Sequence, residues 1–212
     1  MKETLNHAAG HYTFFVTDVG RALEQIAEIH EHLAKSEIYR GWRSIPVACS
    51  GLVGIAAGAT QPALDASGFT FYWVTIGTLA LLVGCSEIAW HFVMRATPTE
   101  RRRSSQVLGQ FLPALVAGAL VTGALVRFGP EFVRLLPGVW ALLFGVGIFA
   151  ARPYVPRASG WVALYYWTAG LLLLWSSDWL NVLSPWAVGG TFGGGQLLAA
   201  VVLYWNLERG SR

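Results

Sequence analysis

Six apolar runs, near residues 44–62, 70–94, 106–127, 135–151, 160–177 and 186–206, make up most of this chain. A hydrocarbon core about 30 Å thick takes roughly 20 helical residues to cross, and these runs are that long or nearly so. A bilayer offers the backbone no water to bond, so such runs are expected to satisfy their amides as helices. The segments between them ("QPALDASG", "ATPTERRRSS", "RFGPEFVRLLPG", "ARPYVPRASG" and "DWLNVLSP") are rich in turn residues. The expected fold is all-α: residues 44–212 form an integral membrane bundle of six transmembrane helices, and residues 1–43 form a cytoplasmic N-terminal amphipathic helix.

Composition agrees. Charged residues make up 13% of the 212 and hydrophobic ones 54%, against about 25% charged in an average soluble domain. The ten Trp residues suit a bilayer interface. The net charge of +3 could suggest nucleic acid, but the arginines lie in short clusters between apolar runs, so no nucleic-acid partner is expected. Arg40 and Arg43 precede the first run, Arg95 and Arg101 to Arg103 follow the second, Arg152 and Arg157 the fourth, and Arg209 and Arg212 the sixth. The alternate loops lack Lys and Arg, apart from Arg127 and Arg134. The positive-inside rule then places both termini in the cytoplasm. Residues 1–43 have no apolar leader core, so insertion through the internal spans is expected.

The N-terminal segment has its own pattern. Leu5, Ala8, Tyr12, Phe15, Val19, Ala22, Ile26, Ile29 and Leu33 alternate at spacings of three and four, as in a coiled-coil seam. Glu24, Glu28, Glu31 and Lys35 lie off that stripe, and Gly10 and Gly20 weaken it. One reading is an amphipathic helix lying on the membrane or on the chain's own spans. The other makes the stripe, Phe15 to Leu33 above all, a surface for self-association or for a cytoplasmic protein partner. His7 and His11, and His30 and His32, lack the three or four converging ligands of a metal site, so neither metal nor cofactor is expected. Cys49 and Cys85 sit inside apolar runs, where a disulfide is not expected.

Two halves of the chain are alike at a separation of about 93 residues. "SGLVGIAAG" matches "FGVGIFAA", and "FYWVTIGTLALLVGCSE" matches "YYWTAGLLLLWSSD" with one gap. A unit of three spans repeated once has to invert in the membrane, as in many transporters. Glu87 and Asp178 are counterparts in that alignment. Glu87 and His91 lie four apart and so on one helical face. Ionisable groups at membrane depth usually face an interior or a wet cavity. Glu87, His91, Asp178 and Gln196 are therefore the candidates for an ion, ligand or proton-relay site. Against this, His91 and Asp178 could sit at an interface, with Glu87 bound to Arg95 or a neighbouring helix.

"GGTFGGGQLL", at 189–198, has no lysine and runs directly into an apolar stretch, which excludes a phosphate loop. Gly189 with Gly193, and Gly190 with Gly194, have the four-residue spacing that lets membrane helices approach closely. Tight packing of the sixth run is the first reading, and a locally unwound helix lining a cavity with Gln196 is the alternative. No nucleophile elbow, zinc-protease helix or Ser/His/Asp set is present, and no catalytic residue or enzymatic activity is expected.

"LAKSEIYRGWRSIPVACSGLVGIAAG", "LGQFLPALVAGALVTGALV" and "LLPGVWALLFGVGIF" resemble a family of uncharacterised bacterial membrane proteins with an N-terminal amphipathic helix and about six spans. The resemblance covers most of residues 30–200, and the histidine-bearing start at 1–20 departs from it. Genes of that family often neighbour one for a winged-helix regulator, which implies a regulatory or stress-linked setting and no defined reaction. Two functions are thus expected in order: a non-enzymatic membrane protein acting by assembly, as a homo-oligomer or as anchor and sensor for a cytoplasmic partner; and a small-solute or ion transporter.

Overall fold

The computed structural model describes residues 44–94, 98–177 and 183–209, with side chains given for 44–83, 105–177 and 183–209. The chain divides into two units, Met1–Ile38 and Tyr39–Arg212, and every described helix belongs to the second. The N-terminal stripe from Leu5 to Leu33, and His7, His11, His30 and His32 beside it, lie outside the described residues, as does Asp178.

Every regular element among the described residues is helical. Seven α-helices follow in order: α1 Ser44–Thr60, α2 Ala66–Met94, α3 Pro98–Phe128, the single turn α4 Pro130–Val133, α5 Leu136–Ala150, α6 Ser159–Trp175 and α7 Pro185–Leu203. A 3-10 turn, Arg152–Tyr154, leads towards α6, and a π-turn, Tyr204–Glu208, extends α7. Three of these helices are long and apolar enough to cross a membrane, over Ala66–Val83, Ser105–Phe128 and Pro185–Glu208. α1, at 17 residues, and α5, at 15, are apolar but shorter.

Local chemistry sets the helix ends. Asp65 Oδ1 accepts the Gly68 N–H at 2.9 Å, satisfying one of the free amides at the start of α2. Ser184 caps α7 in the same manner through the Trp186 N–H, and Pro185 occupies the first turn, where its missing donor costs nothing. Gly129, between α3 and α4, has φ +149°, which a residue with a Cβ rarely adopts. α3 begins eight residues before the apolar run at 106, because "PTERRRSS" opens with proline and carries Glu100 and Arg101 to Arg103, good helix formers, at its centre. Pro113 lies within α3.

Short connections make the helices run up and down. The largest helix pairs are α1 with α7 and α5 with α6; α3 also packs on α5, and α2 on α1. One apolar cluster, built on Ala57, Phe69, Trp73, Val133, Leu136 and Val188, closes the end of the bundle where α1 finishes and α7 starts. A second, Ala141, Val162 and Tyr166 with Phe144 and Phe192 against them, fills the middle. Burial separates the three long helices: 44% of the α7 stretch is buried, against 17% of α2 and 6% of α3. α7 is the central helix, and α2 and α3 are its periphery.

Candidate functional site

The glycine cluster of α7 lies where three helices meet, and its members face different neighbours. Gly189 and Gly193 face α1. A Cβ on Gly189 would stand 2.8 Å from Gly54 O and 2.9 Å from Gly58 Cα; one on Gly193 would stand 3.0 Å from Gly51 O and 2.5 Å from Ile55 Cγ1. From the other side, Cβ atoms on Gly51, Gly54 and Gly58 would meet backbone atoms of Gly193 or Gly189 at 3.0 to 3.5 Å. The two backbones are therefore in contact along a seam of five glycines, which a side chain at Gly189 or Gly193 would push apart. That closeness stabilises the pair through dispersion between main-chain atoms, the usual basis of small-residue packing between membrane helices.

Gly194 and Gly195 face α6 instead. A Cβ on Gly194 would stand 2.9 Å from the Tyr165 hydroxyl, and one on Gly195 would overlap the ring of fully buried Tyr166. The room they leave lets both phenols reach main chain: Tyr165 Oη donates to Thr191 O at 3.1 Å and Tyr166 Oη to Phe192 O at 3.3 Å. Gly190 meets only the ring and Cβ of Trp186 in its own helix, at 3.8 and 3.9 Å. Of the two four-residue glycine pairs, then, one packs a partner helix at both members, while Gly190 and Gly194 do not share a neighbour. α7 is helical without a break from Pro185 to Leu203, so it is not unwound at the cluster. Gln196 is half-buried, its Cβ within 3.1 Å of the Cβ position of Gly51.

Aromatic rings complete the middle of the bundle. Phe144 stacks edge-on against Phe111 at 5.0 Å between centroids, and lies 4.9 Å from Tyr166 and 5.5 Å from Phe192. Such contacts each add about 1 kcal/mol beyond the area they bury. A second close helix pair supports this cluster: a Cβ on Gly170 of α6 would stand 2.8 Å from Gly138 O of α5. Trp140 Nε1 donates to Thr122 Oγ1 at 2.8 Å, joining α5 to α3.

Polar groups hold the α1–α7 pair at both ends. At one end Glu208 accepts two hydrogen bonds from Ser44, from its backbone N–H at 2.8 Å and its hydroxyl at 2.9 Å. This carboxylate caps α1 from a distance of 164 residues in sequence, where the helix dipole favours negative charge. At the other end Gln61 donates to Leu183 O at 3.3 Å and accepts from Trp73 Nε1 at 2.6 Å. Tyr72 Oη donates to Ala57 O at 2.8 Å beside it. Neither clamp was expected from the sequence: Gln61 lies at the end of the run at 44–62, just past α1, and Glu208 is the first polar residue past the run at 186–206.

Glu87 and His91 fall on the last turns of α2, where only the backbone is described. Among the described residues no three His, Cys, Asp or Glu side chains converge, and Cys49 is a free, exposed thiol. Compared with models of protein families, with curated proteins and with solved structures, the chain matches none.

Proposed function

We propose that the chain is a six-span membrane protein of the bacterial inner membrane, non-enzymatic, that acts through assembly: a homo-oligomer, or an anchor and sensor for a cytoplasmic protein that docks on the N-terminal stripe. The membrane reading is carried by the exposed tryptophans of α6 and α7. Trp161 and Trp205 lie at the end of the bundle where α1 starts, and Trp175 and Trp186 at the opposite end; each is more than half exposed. Outward-facing indoles in two levels are what aromatic belts at two bilayer interfaces require. The rise per residue puts Trp186 and Trp205 roughly 28 Å apart along α7, close to one hydrocarbon thickness. Arg152, Arg157 and Arg209 follow helices that finish at the Ser44 end, in keeping with a cytoplasmic location for that end and for both termini. Tilt or local thinning of the bilayer accommodates the shorter α1, α5 and α6.

Assembly is supported by the filled interior. Backbone contacts and packed rings occupy the centre of the bundle, which makes it a stable platform. A native mass spectrum from mild detergent tests this reading. The expected result is a defined oligomer, or a retained protein partner, that is lost in Ile26→Asp with Ile29→Asp while the spans stay folded; unchanged stoichiometry would remove its main support.

One observation favours the second reading, a small-solute or ion transporter built on an inverted repeat. Exchanging the first three spans with the last three maps the α1–α7 pair onto α5–α3, and α1–α2 onto α5–α6, and all four pairs are in contact. Gly54 and Gly147, equivalent in the repeat, face α7 and α3 respectively, the latter at Phe111 and Ala114. Trp73 and Trp167, also equivalent, each lie against the first helix of their own half or its end, at Gln61 and Gly145. Glu87→Gln should then abolish flux into proteoliposomes; undiminished flux would exclude a relay through that carboxylate.

A further inference from the structure

The end of α5 and the start of α6 frame a strip of surface that the packing of the bundle leaves open. Gly160, Leu164, Trp167 and Leu171 of α6 follow one another at spacings of three and four, and so lie on one stripe of that helix. Trp167 lies in the room that Gly145 of α5 leaves, where a Cβ would stand 2.6 Å from its ring. The same ring meets Phe149 of α5 at 5.2 Å between centroids, which joins the two helices beneath the strip. Val146, Phe149, Leu164 and Leu171 are exposed along it. From Gly160 to Leu171 the strip runs roughly 16 Å, about the depth of one bilayer leaflet.

The head of the strip is a cation. Arg152 follows the last turn of α5, and its guanidinium is held from two sides. It lies over the Phe149 ring at 5.6 Å from the centroid, and 3.6 Å from where a Cβ on Gly160 would stand. Stacking on a ring leaves the planar N–H fork of a guanidinium free to meet a phosphate. Arg152 donates to no acceptor among the described residues, and the first turn of α6 holds no acidic residue to answer it. Trp161, exposed beside Gly160, marks the level where headgroups begin. A seated, unanswered positive charge at the head of an apolar strip one leaflet long is complementary to an anionic lipid, in charge to its headgroup and in length to its chain.

We propose that this strip binds one anionic glycerophospholipid, with its phosphodiester on Arg152 and an acyl chain along Phe149, Leu164 and Leu171. The site rests on the membrane reading of the chain and is independent of assembly. A free phosphate would use the guanidinium without the strip, and a neutral lipid the strip without the guanidinium.

Native mass spectrometry tests it on the full-length protein in mild detergent, offered equal amounts of phosphatidylglycerol and phosphatidylcholine with the same chains. One phosphatidylglycerol is expected to be retained with a preference of about tenfold, the worth of a hydrogen bond to a charged group. Arg152→Gln should remove that preference. Arg209→Gln, which takes away an arginine seated over Trp205 at the same end of the bundle, should leave it. Equal retention of the two lipids by the wild type overturns the site, and that comparison needs no variant to fold. Equal losses in the two variants also overturn it, because net charge would then be what attracts the lipid. Displacement of phosphatidylglycerol by inorganic phosphate overturns the lipid and gives the guanidinium to a free anion. Flotation with liposomes separates the two readings: protein that does not float overturns the membrane reading and the site together, whereas protein that floats without the preference overturns the site alone.

Discussion

Two sets of glycines in this chain sit in apolar helices and do opposite things. Gly51, Gly54 and Gly58 of α1 and Gly189 and Gly193 of α7 press against backbone, most tightly at Gly189 and Gly193, where a Cβ would come within 3.0 Å of the neighbouring helix. Gly77 of α2 and Gly109 and Gly123 of α3 have nothing within 4 Å of where a Cβ would stand. Helix propensity penalises both sets alike, by about 1 kcal/mol per residue relative to alanine. Only the first set recovers that cost, because removing Cβ brings two main chains into contact. A glycine in a membrane helix thus acquires its meaning from the neighbouring helix.

That difference predicts a graded series of effects. Gly189→Leu, or Gly170→Leu in the second close pair, should be the most damaging: the side chain meets backbone under 3.0 Å away, with the Leu142 side chain beside it at Gly170, at about 3 kcal/mol or more. Loss of the monodisperse peak in size-exclusion chromatography would register it, and a normal peak would mean that the helices are not in contact there. Gly193→Ala adds one methyl against Ile55 and the Gly51 carbonyl and should cost about 1–3 kcal/mol in denaturant titrations in mixed micelles. Tyr166→Phe removes one donor to Phe192 O but leaves the ring packing, so a loss of about 1 kcal/mol is expected by the same titration. Gly109→Ala and Gly123→Ala come last. With open space around them they should leave stability unchanged or raise it by up to about 1 kcal/mol, and a loss would show that a second molecule covers that face of α3.

Much of the helical framework was legible, for a simple reason. Apolar runs bounded by turn residues leave the backbone no other way to satisfy its amides in a bilayer, and the observed α5 and α6 ends fall within one or two residues of the expected ones. α3 differed most at its start, because helix propensity in "PTERRRSS" carries the helix past the edge of the apolar run. The Gly189/Gly193 spacing pointed to close packing, but spacing describes one face and cannot name the helix that fills it. The roles of Gly194 and Gly195 were hidden, since they depend on Tyr165 and Tyr166, about 30 residues earlier. Glu208 and Ser44, 164 residues apart, leave no local pattern at all. Glu87, His91 and Asp178 keep the standing that the sequence alone gives them.

The central claim is that α1 and α7 lie antiparallel with their backbones in contact. A cysteine pair at Gly51 and Gln196, in a chain with Cys49→Ala and Cys85→Ala, tests it most directly. The two Cβ positions stand 3.1 Å apart, a few tenths of an ångström under the roughly 3.5–4.5 Å that a disulfide spans, so a slight parting of the helices admits the bond. Mild oxidation in native membranes should close an intramolecular disulfide, while Gly51→Cys with Gly190→Cys, whose second site meets no atom of α1 within 4 Å, stays reduced. A pair that stays reduced, or one that links only between chains, would contradict the account.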